Sequence, residues 1–197
     1  MRQLVLGLAL LASSGCAARA AEPVVDIAGV TPCSIDVYSL DDDPAGLNVR
    51  AGPSASAAVV ATLENERSQD GESYKLELHV SGSKDGWLLV DRAFFRDYGD
   101  ASQAGVVFDR KGWVTGKLTG SDIGANVLRA APSAEARTTA TLSSPYSSSP
   151  AGSVGRFEVS RIFACKDDWA DVEGEFAGKT VRGWANRLCS NQTTVCR

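Results

Sequence analysis

Acid–base chemistry in this chain would have to run through one imidazole, because His79 is the only histidine. A serine or cysteine nucleophile needs such a base within hydrogen-bond reach. His79 stands in Tyr74-Lys75-Leu76-Glu77-Leu78-His79-Val80, where apolar and polar residues alternate. The alternation predicts a half-buried strand with Tyr74, Leu76, Leu78 and Val80 inward and Lys75, Glu77 and His79 on the solvated face. A surface histidine is the expectation there, and no Gly-x-Ser-x-Gly elbow or Gly-rich phosphate loop accompanies it. Asp41-Asp42-Asp43 gathers carboxylates ahead of Gly46 without the alternate spacing of a calcium loop, so it reads as a solvated acidic turn. Glu173 and Glu175 share one side of a short hairpin and carry no glycosidase signal by themselves. The inventory points away from an enzyme and implies no cofactor and no metal site.

The cysteines carry the other chemistry. Met1-Arg2-Gln3 followed by the apolar run Leu4 to Ala12 has the form of a signal peptide, too short to span a bilayer that needs about 20 residues. Two processing routes compete. Ala18-Arg19-Ala20 fits cleavage after small residues, leaving residues 1–20 as the leader, while Ser13-Ser14-Gly15-Cys16 is similar to a lipobox that would lipidate Cys16. Either route exports the chain, to the periplasm or beyond, with no transmembrane span in the mature part. Cys33, Cys165, Cys189 and Cys196 remain, an even set that predicts two disulfides in an oxidising compartment. Cys189 with Cys196 would close a small C-terminal loop and leave Cys33 for Cys165, and the two crossed pairings are equally allowed. Zinc is disfavoured, because no Cys-x-x-Cys pair or neighbouring histidine is present. With Arg2 and Arg19 in the leader, 18 Lys and Arg face 24 Asp and Glu, which excludes phosphate-backbone binding as the main role and with it a nucleic-acid partner.

An internal repeat organises the rest. Arg50-Ala51-Gly52-Pro53-Ser54-Ala55-Ser56-Ala57-Ala58-Val59-Val60-Ala61-Thr62-Leu63 recurs from Arg129 to Leu142 with nine of fourteen positions identical. The tryptophans repeat in the same order, Trp87 then Trp113, and Trp169 then Trp184. Two homologous modules follow, rather than a solenoid of shorter units. Gly-Pro, Ala-Pro and Asp-Gly steps punctuate short apolar runs, and no window sustains a helical period, so the expectation is all-β. Gly52 is expected to supply a left-handed turn residue that Ala131 would adopt only at a cost. The short link from Thr119 to Gly124 predicts modules packed on each other.

Leu47-Asn48-Val49-Arg50-Ala51-Gly52-Pro53-Ser54, the run Val59 to Leu63, Asp85-Gly86-Trp87-Leu88-Leu89-Val90 and Gly112-Trp113-Val114 together resemble the bacterial SH3-like domain family. The resemblance covers about residues 46–118 and, with departures at Asn126-Val127-Leu128-Arg129, Ala131 and Ala185, residues 124–188. It implies two small SH3-like β-barrels in tandem: a first domain over 21–120 with an N-terminal extension, and a second over 121–197 with a C-terminal cysteine loop. It also implies a non-catalytic binding module of the cell envelope that recognises peptidoglycan peptides in a shallow aromatic groove. The alternative is a regulatory protein docking on an envelope or secreted partner. Tyr74 and Trp87 are candidate ligand residues, as are Phe94, Phe95 and Tyr98 in the insertion Asp91 to Ala104 that separates the first module's tryptophans. Such an insertion either lips a groove or docks its rings on its own module. Ser143 to Gly155, rich in serine, proline and glycine, reads as a long loop.

Overall fold

A computed structural model describes residues 23–69, 71–98, 105–142 and 157–193. The leader, Cys16, Cys196, the Ser143–Gly155 segment and residues 99–104 of the insertion lie outside this set. The described residues are all-β apart from one short 3-10 turn at Gly116–Leu118, and none of their helices is long and apolar enough to cross a membrane.

The first half contributes β1 (Thr31–Ser39), β2 (Leu47–Arg50), β3 (Val59–Leu63), a small hairpin of β4 (Glu66–Gln69) and β5 (Glu72–Lys75), and the long hairpin β6 (Glu77–Lys84) and β7 (Trp87–Phe95). β8 (Gly105–Phe108), β9 (Gly112–Thr115) and β10 (Thr119–Gly120) complete it. The second half contributes β11 (Asp122–Ile123), β12 (Val127–Arg129), β13 (Thr138–Thr141), β14 (Glu158–Lys166), β15 (Trp169–Phe176), β16 (Lys179–Asn186) and β17 (Leu188–Cys189).

Neighbouring strands run β10-β1-β6-β7-β9-β2-β3 in an eight-stranded sheet, with β8 on β7, and β14-β15-β16-β12-β13 in a five-stranded one. The order β6-β7-β9-β2-β3 is thus repeated as β14-β15-β16-β12-β13. Register repeats as well: Arg50 faces Trp113 as Arg129 faces Trp184, and Trp87 faces Thr115 as Trp169 faces Asn186.

The two sheets are open paths, not closed barrels. In the first, the edge that would close on β3 is taken by β1 and β10. In the second, the corresponding edge strand β14 lies against the first module instead of curling back to β13.

One continuous apolar core runs through both modules, from Val37, Leu47, Leu78 and Val90 to Leu128, Ile162, Val172 and Ala185. Each such valine, leucine or isoleucine contributes about 1.5–3 kcal/mol when fully buried. Contact between the modules is close enough to dictate composition: a Cβ on Gly116 would sit 1.9 Å from the Ile162 carbonyl oxygen of β14. Ser83 of β6 donates its hydroxyl to the Cys165 carbonyl at 3.0 Å and accepts the Cys165 N–H at 2.8 Å, both across the boundary. A disulfide joins Cys33 to Cys165, with Cα atoms 5.7 Å apart, and closes a separation of 132 residues. Cys189 is also disulfide-bonded, to a partner beyond the described residues.

Two local expectations change. The alternating run Tyr74–Val80 is broken at Leu76, so that β5 ends at Lys75 and β6 starts at Glu77. Leu76, Leu78 and Val80 are buried as patterned, but Glu77, assigned to the solvated face, is fully buried because the second module covers it. Nor does Gly52 adopt a left-handed conformation; the glycine that does so near the opening strand is Gly46, at φ 97°. A side chain there would meet the Leu63 carbonyl oxygen at 2.4 Å.

Candidate functional site

The aromatic residues singled out from the sequence separate into three places. Trp87 starts β7, half-buried, beside the β6–β7 turn. Phe94 is seven residues further along the same strand, roughly 20 Å away at 3.3 Å per residue. Phe94 and Phe95 are only 8% and 5% exposed, so they do not lip a groove with Trp87. Arg92 and Arg96 stand by the Phe94 ring, and Arg67 lies 4.2 Å from the centre of Phe95. Tyr74 and Tyr98 meet each other, ring centres 4.6 Å apart, at the boundary with the second module.

That boundary holds a polar clasp. Tyr98 donates its hydroxyl to Glu77 Oε1 at 2.8 Å and accepts the Gln192 N–H at 3.0 Å. Arg96 Nη2 lies 2.8 Å from Glu77 Oε2, and the Ser190 hydroxyl donates to the same oxygen. The Gln192 side chain accepts the Lys75 N–H at 2.7 Å and donates to the Lys75 carbonyl at 2.9 Å, as a neighbouring strand would. Burial, reinforced by the Glu77 charge, pushes the Tyr98 phenol up to about 12 against the opposing Gln192 bond. These residues fasten the C-terminal segment to β5 and β6.

The end of the β6–β7 hairpin, the opening turn and Arg161 of β14 enclose a second region with polar side chains in a concavity. Trp87 walls a groove of about 700 Å3, with Asp41, Asn48, Arg50, Asp85, Lys117 and, from β14, Arg161 around it. Local sequence explains the positions of Trp87 and Arg50. Asp85-Gly86 forms the two-residue turn with both φ positive, at 51° and 80°, that suits the twist of a hairpin and delivers Trp87 to its mouth. Arg50 ends the opening strand and donates to the Ala57 carbonyl at 2.9 Å, which props the Pro53–Ala55 turn against the opposite wall. Two carboxylates and three cations therefore share one concavity with an indole, an arrangement suited to a ligand carrying both charges.

His79 is not a lone surface residue. Its Nε2 lies 3.2 Å from Ser34 Oγ and its Nδ1 2.7 Å from Asp91 Oδ1, in the order of a Ser-His-Asp chain across β1, β6 and β7. Sequence spacing could not reveal this, since only strand pairing brings residues 34, 79 and 91 together. Ser34 sits in a β-bulge of β1, and its own N–H donates to the Asp167 carbonyl at 2.7 Å, so that donor is not free for an oxyanion. Beside it, burial raises the Asp36 carboxyl above its usual range, with His79 opposing the shift. Among the described residues no group of three or more His, Cys, Asp or Glu is placed to hold a metal ion.

No family model, curated protein or solved structure matches this chain.

Proposed function

We propose that the chain is an exported binding module of the cell envelope, built from two SH3-like domains, whose Trp87 groove takes a peptide of the peptidoglycan. The observation that carries this reading is the mixed charge of that groove: Asp41 and Asp85 face Arg50, Lys117 and Arg161 around one half-buried indole. A wall peptide offers free amino and carboxylate groups on a short extended backbone, which such a lining complements better than an apolar or single-sign ligand. Export is supported by the Cys33–Cys165 disulfide, a bond that persists in oxidising compartments. The repeated five-strand order supports the resemblance of both modules to one domain type.

Co-sedimentation of the oxidised mature chain with purified peptidoglycan sacculi tests this. Wild type should be retained, and Trp87→Ala, with thermal unfolding unchanged to within a few degrees, should not. Retention of Trp87→Ala at the wild-type level would take wall binding away from this groove, and no retention of wild type at all would move the function to a protein partner in the envelope.

A further inference from the structure

The five-strand order occurs twice, and the groove occurs twice with it. In the second module a concavity of about 430 Å3 is lined by Asn126, Arg129, Ala134, Trp169, Asn186 and Arg187, among others. Arg129, Ala134, Trp169 and Asn186 stand where Arg50, Ala55, Trp87 and Thr115 stand in the first. Charge is what differs. Among the described residues, the lining of the second groove contains two guanidinium groups and no carboxylate. Glu135, the acid nearest in sequence to Ala134, is turned to the Ser133 hydroxyl at 2.5 Å.

Arg187 is the residue to explain. It follows Asn186 as Gly116 follows Thr115, but Gly116 is pressed against Ile162 and has no room for a side chain. Arg187 is exposed, and its backbone has φ 60° where the chain kinks from β16 into β17, its carbonyl accepting the Gly124 N–H at 2.8 Å. The other non-glycine residues with positive φ, Asp85, Asp167 and Ala177, occupy hairpin turns. A left-handed backbone costs an L-residue about 1–2 kcal/mol, which glycine would avoid, and local strain of this kind collects at ligand sites. No hydrogen bond or ion pair of the Arg187 guanidinium, or of the Asn126 and Asn186 amides, occurs among the described residues. Arg129, by contrast, has Nη1 committed to the Ala136 carbonyl at 3.0 Å.

We infer that the second groove is a separate binding site for the terminal carboxylate of a peptide, with Arg187 as its anchor. The planar guanidinium fork takes a carboxylate through two parallel hydrogen bonds. The Asn126 and Asn186 amides supply further donors, and the Trp169 indole covers the apolar part of the terminal residue. The inference rests on reading the repeated groove as a ligand site, and it assigns the second copy a different selectivity from the mixed-charge first.

The test follows the indole N–H signals of the oxidised mature chain by NMR, assigned through Trp87→Phe and Trp169→Phe. The probes are N-acetyl-alanyl-alanine as free acid, its C-terminal amide, and inorganic phosphate. The free acid should move the Trp169 signal saturably and leave Trp87 still, the amide should move neither, and Arg187→Ala should weaken the response at least tenfold. Arg187→Gly, which relieves the backbone, should lose the response while raising the midpoint of unfolding. An equal response to the amide, an equal response to phosphate, or full binding by Arg187→Gly would overturn the assignment. The two readings fail separately: loss of wall retention in Trp87→Ala with a silent Trp169 leaves only the first groove, and a responsive Trp169 with wall retention indifferent to Trp87 leaves only the second.

Discussion

The opening turns of the two modules share their backbone bonds and the arginine bond that closes them. Arg50 and Arg129 donate to the carbonyls of Ala57 and Ala136 at 2.9 and 3.0 Å. Ala51 and Ala130 donate their N–H groups to Ala58 and Arg137 at 2.8 and 2.9 Å, and Ser54 and Ser133 each accept at 3.2 Å the N–H two residues on. The likeness survives the exchange of Gly52 for Ala131 because neither position needs a positive φ. The surroundings are where the modules part. Among the described residues, the first also carries β1, β8, the β4–β5 hairpin and a buried carboxylate under the second module, whereas the second shows the five-strand unit with β11 and β17. Duplication has kept the turn that shapes the groove and changed what the rest of each module packs against.

The ion pairs sharpen that contrast most. Glu77 is fully buried in the clasp, while the second module's Arg182–Asp171 pair leaves 48% of the arginine side chain exposed. Removing one partner of a buried pair costs about 3–5 kcal/mol, and here the low end applies because Arg96 keeps 30% exposure and can rehydrate. A surface pair is worth about 0–1 kcal/mol. Urea unfolding of the oxidised protein should therefore place Glu77→Ala about 3 kcal/mol below wild type and Asp171→Ala within about 1 kcal/mol of it. Equal losses would mean that the clasp is no more buried in solution than an ordinary surface pair.

A smaller effect tests the likeness instead. Arg50→Ala deletes one side-chain bond to a turn carbonyl, and Arg129→Ala deletes the same bond together with a longer, exposed one to the Thr138 hydroxyl at 3.3 Å. The carbonyl bond contributes about 1 kcal/mol where the group is partly hydrated, and the exposed one little. The two losses should agree to within about 0.5 kcal/mol, and the double variant should show their sum, since the sites share no partner. A much larger loss in one copy would break the equivalence of the turns.

The repeat, the all-β class and the burial of Leu76, Leu78 and Val80 were legible because they rest on local alternation and on self-similarity, which a sequence displays directly. Gly52 misled because a glycine before proline suggests a positive φ that this turn does not use. Glu77 could not be read, because its burial depends on Ser190 and Gln192, more than 110 residues away. Phe94 and Phe95 carry no local mark that distinguishes an inward ring from a groove lip. The Ser34–His79–Asp91 chain and the Arg187 kink are products of strand pairing, with no trace in spacing. Trp87 was named as a candidate through the resemblance, which says nothing of its charged neighbours, because Asp41, Lys117 and Arg161 come from three distant segments.

A further effect separates the clasp from the grooves by pH. Tyr98 ionises at about 12 in the folded protein, against about 10 for an unfolded tyrosine. The unfolded chain thus releases this proton first, so the stabilisation tied to neutral Tyr98 is complete below pH 10 and is lost as pH rises through about 12. The informative quantity is the difference between wild type and Tyr98→Phe. The variant loses the hydroxyl bond to Glu77 and leaves the Gln192 N–H without its acceptor, so wild type is the more stable at neutral pH. That gap should stay constant to about pH 9 and close above pH 10. A gap that held constant to pH 12 would show that the phenol is not buried against Glu77, and the modules would then be joined by the disulfide and the β14 contacts, without a titratable clasp. A closing gap, together with groove binding that does not change over the same range, would locate the alkaline sensitivity at the module boundary and away from both grooves.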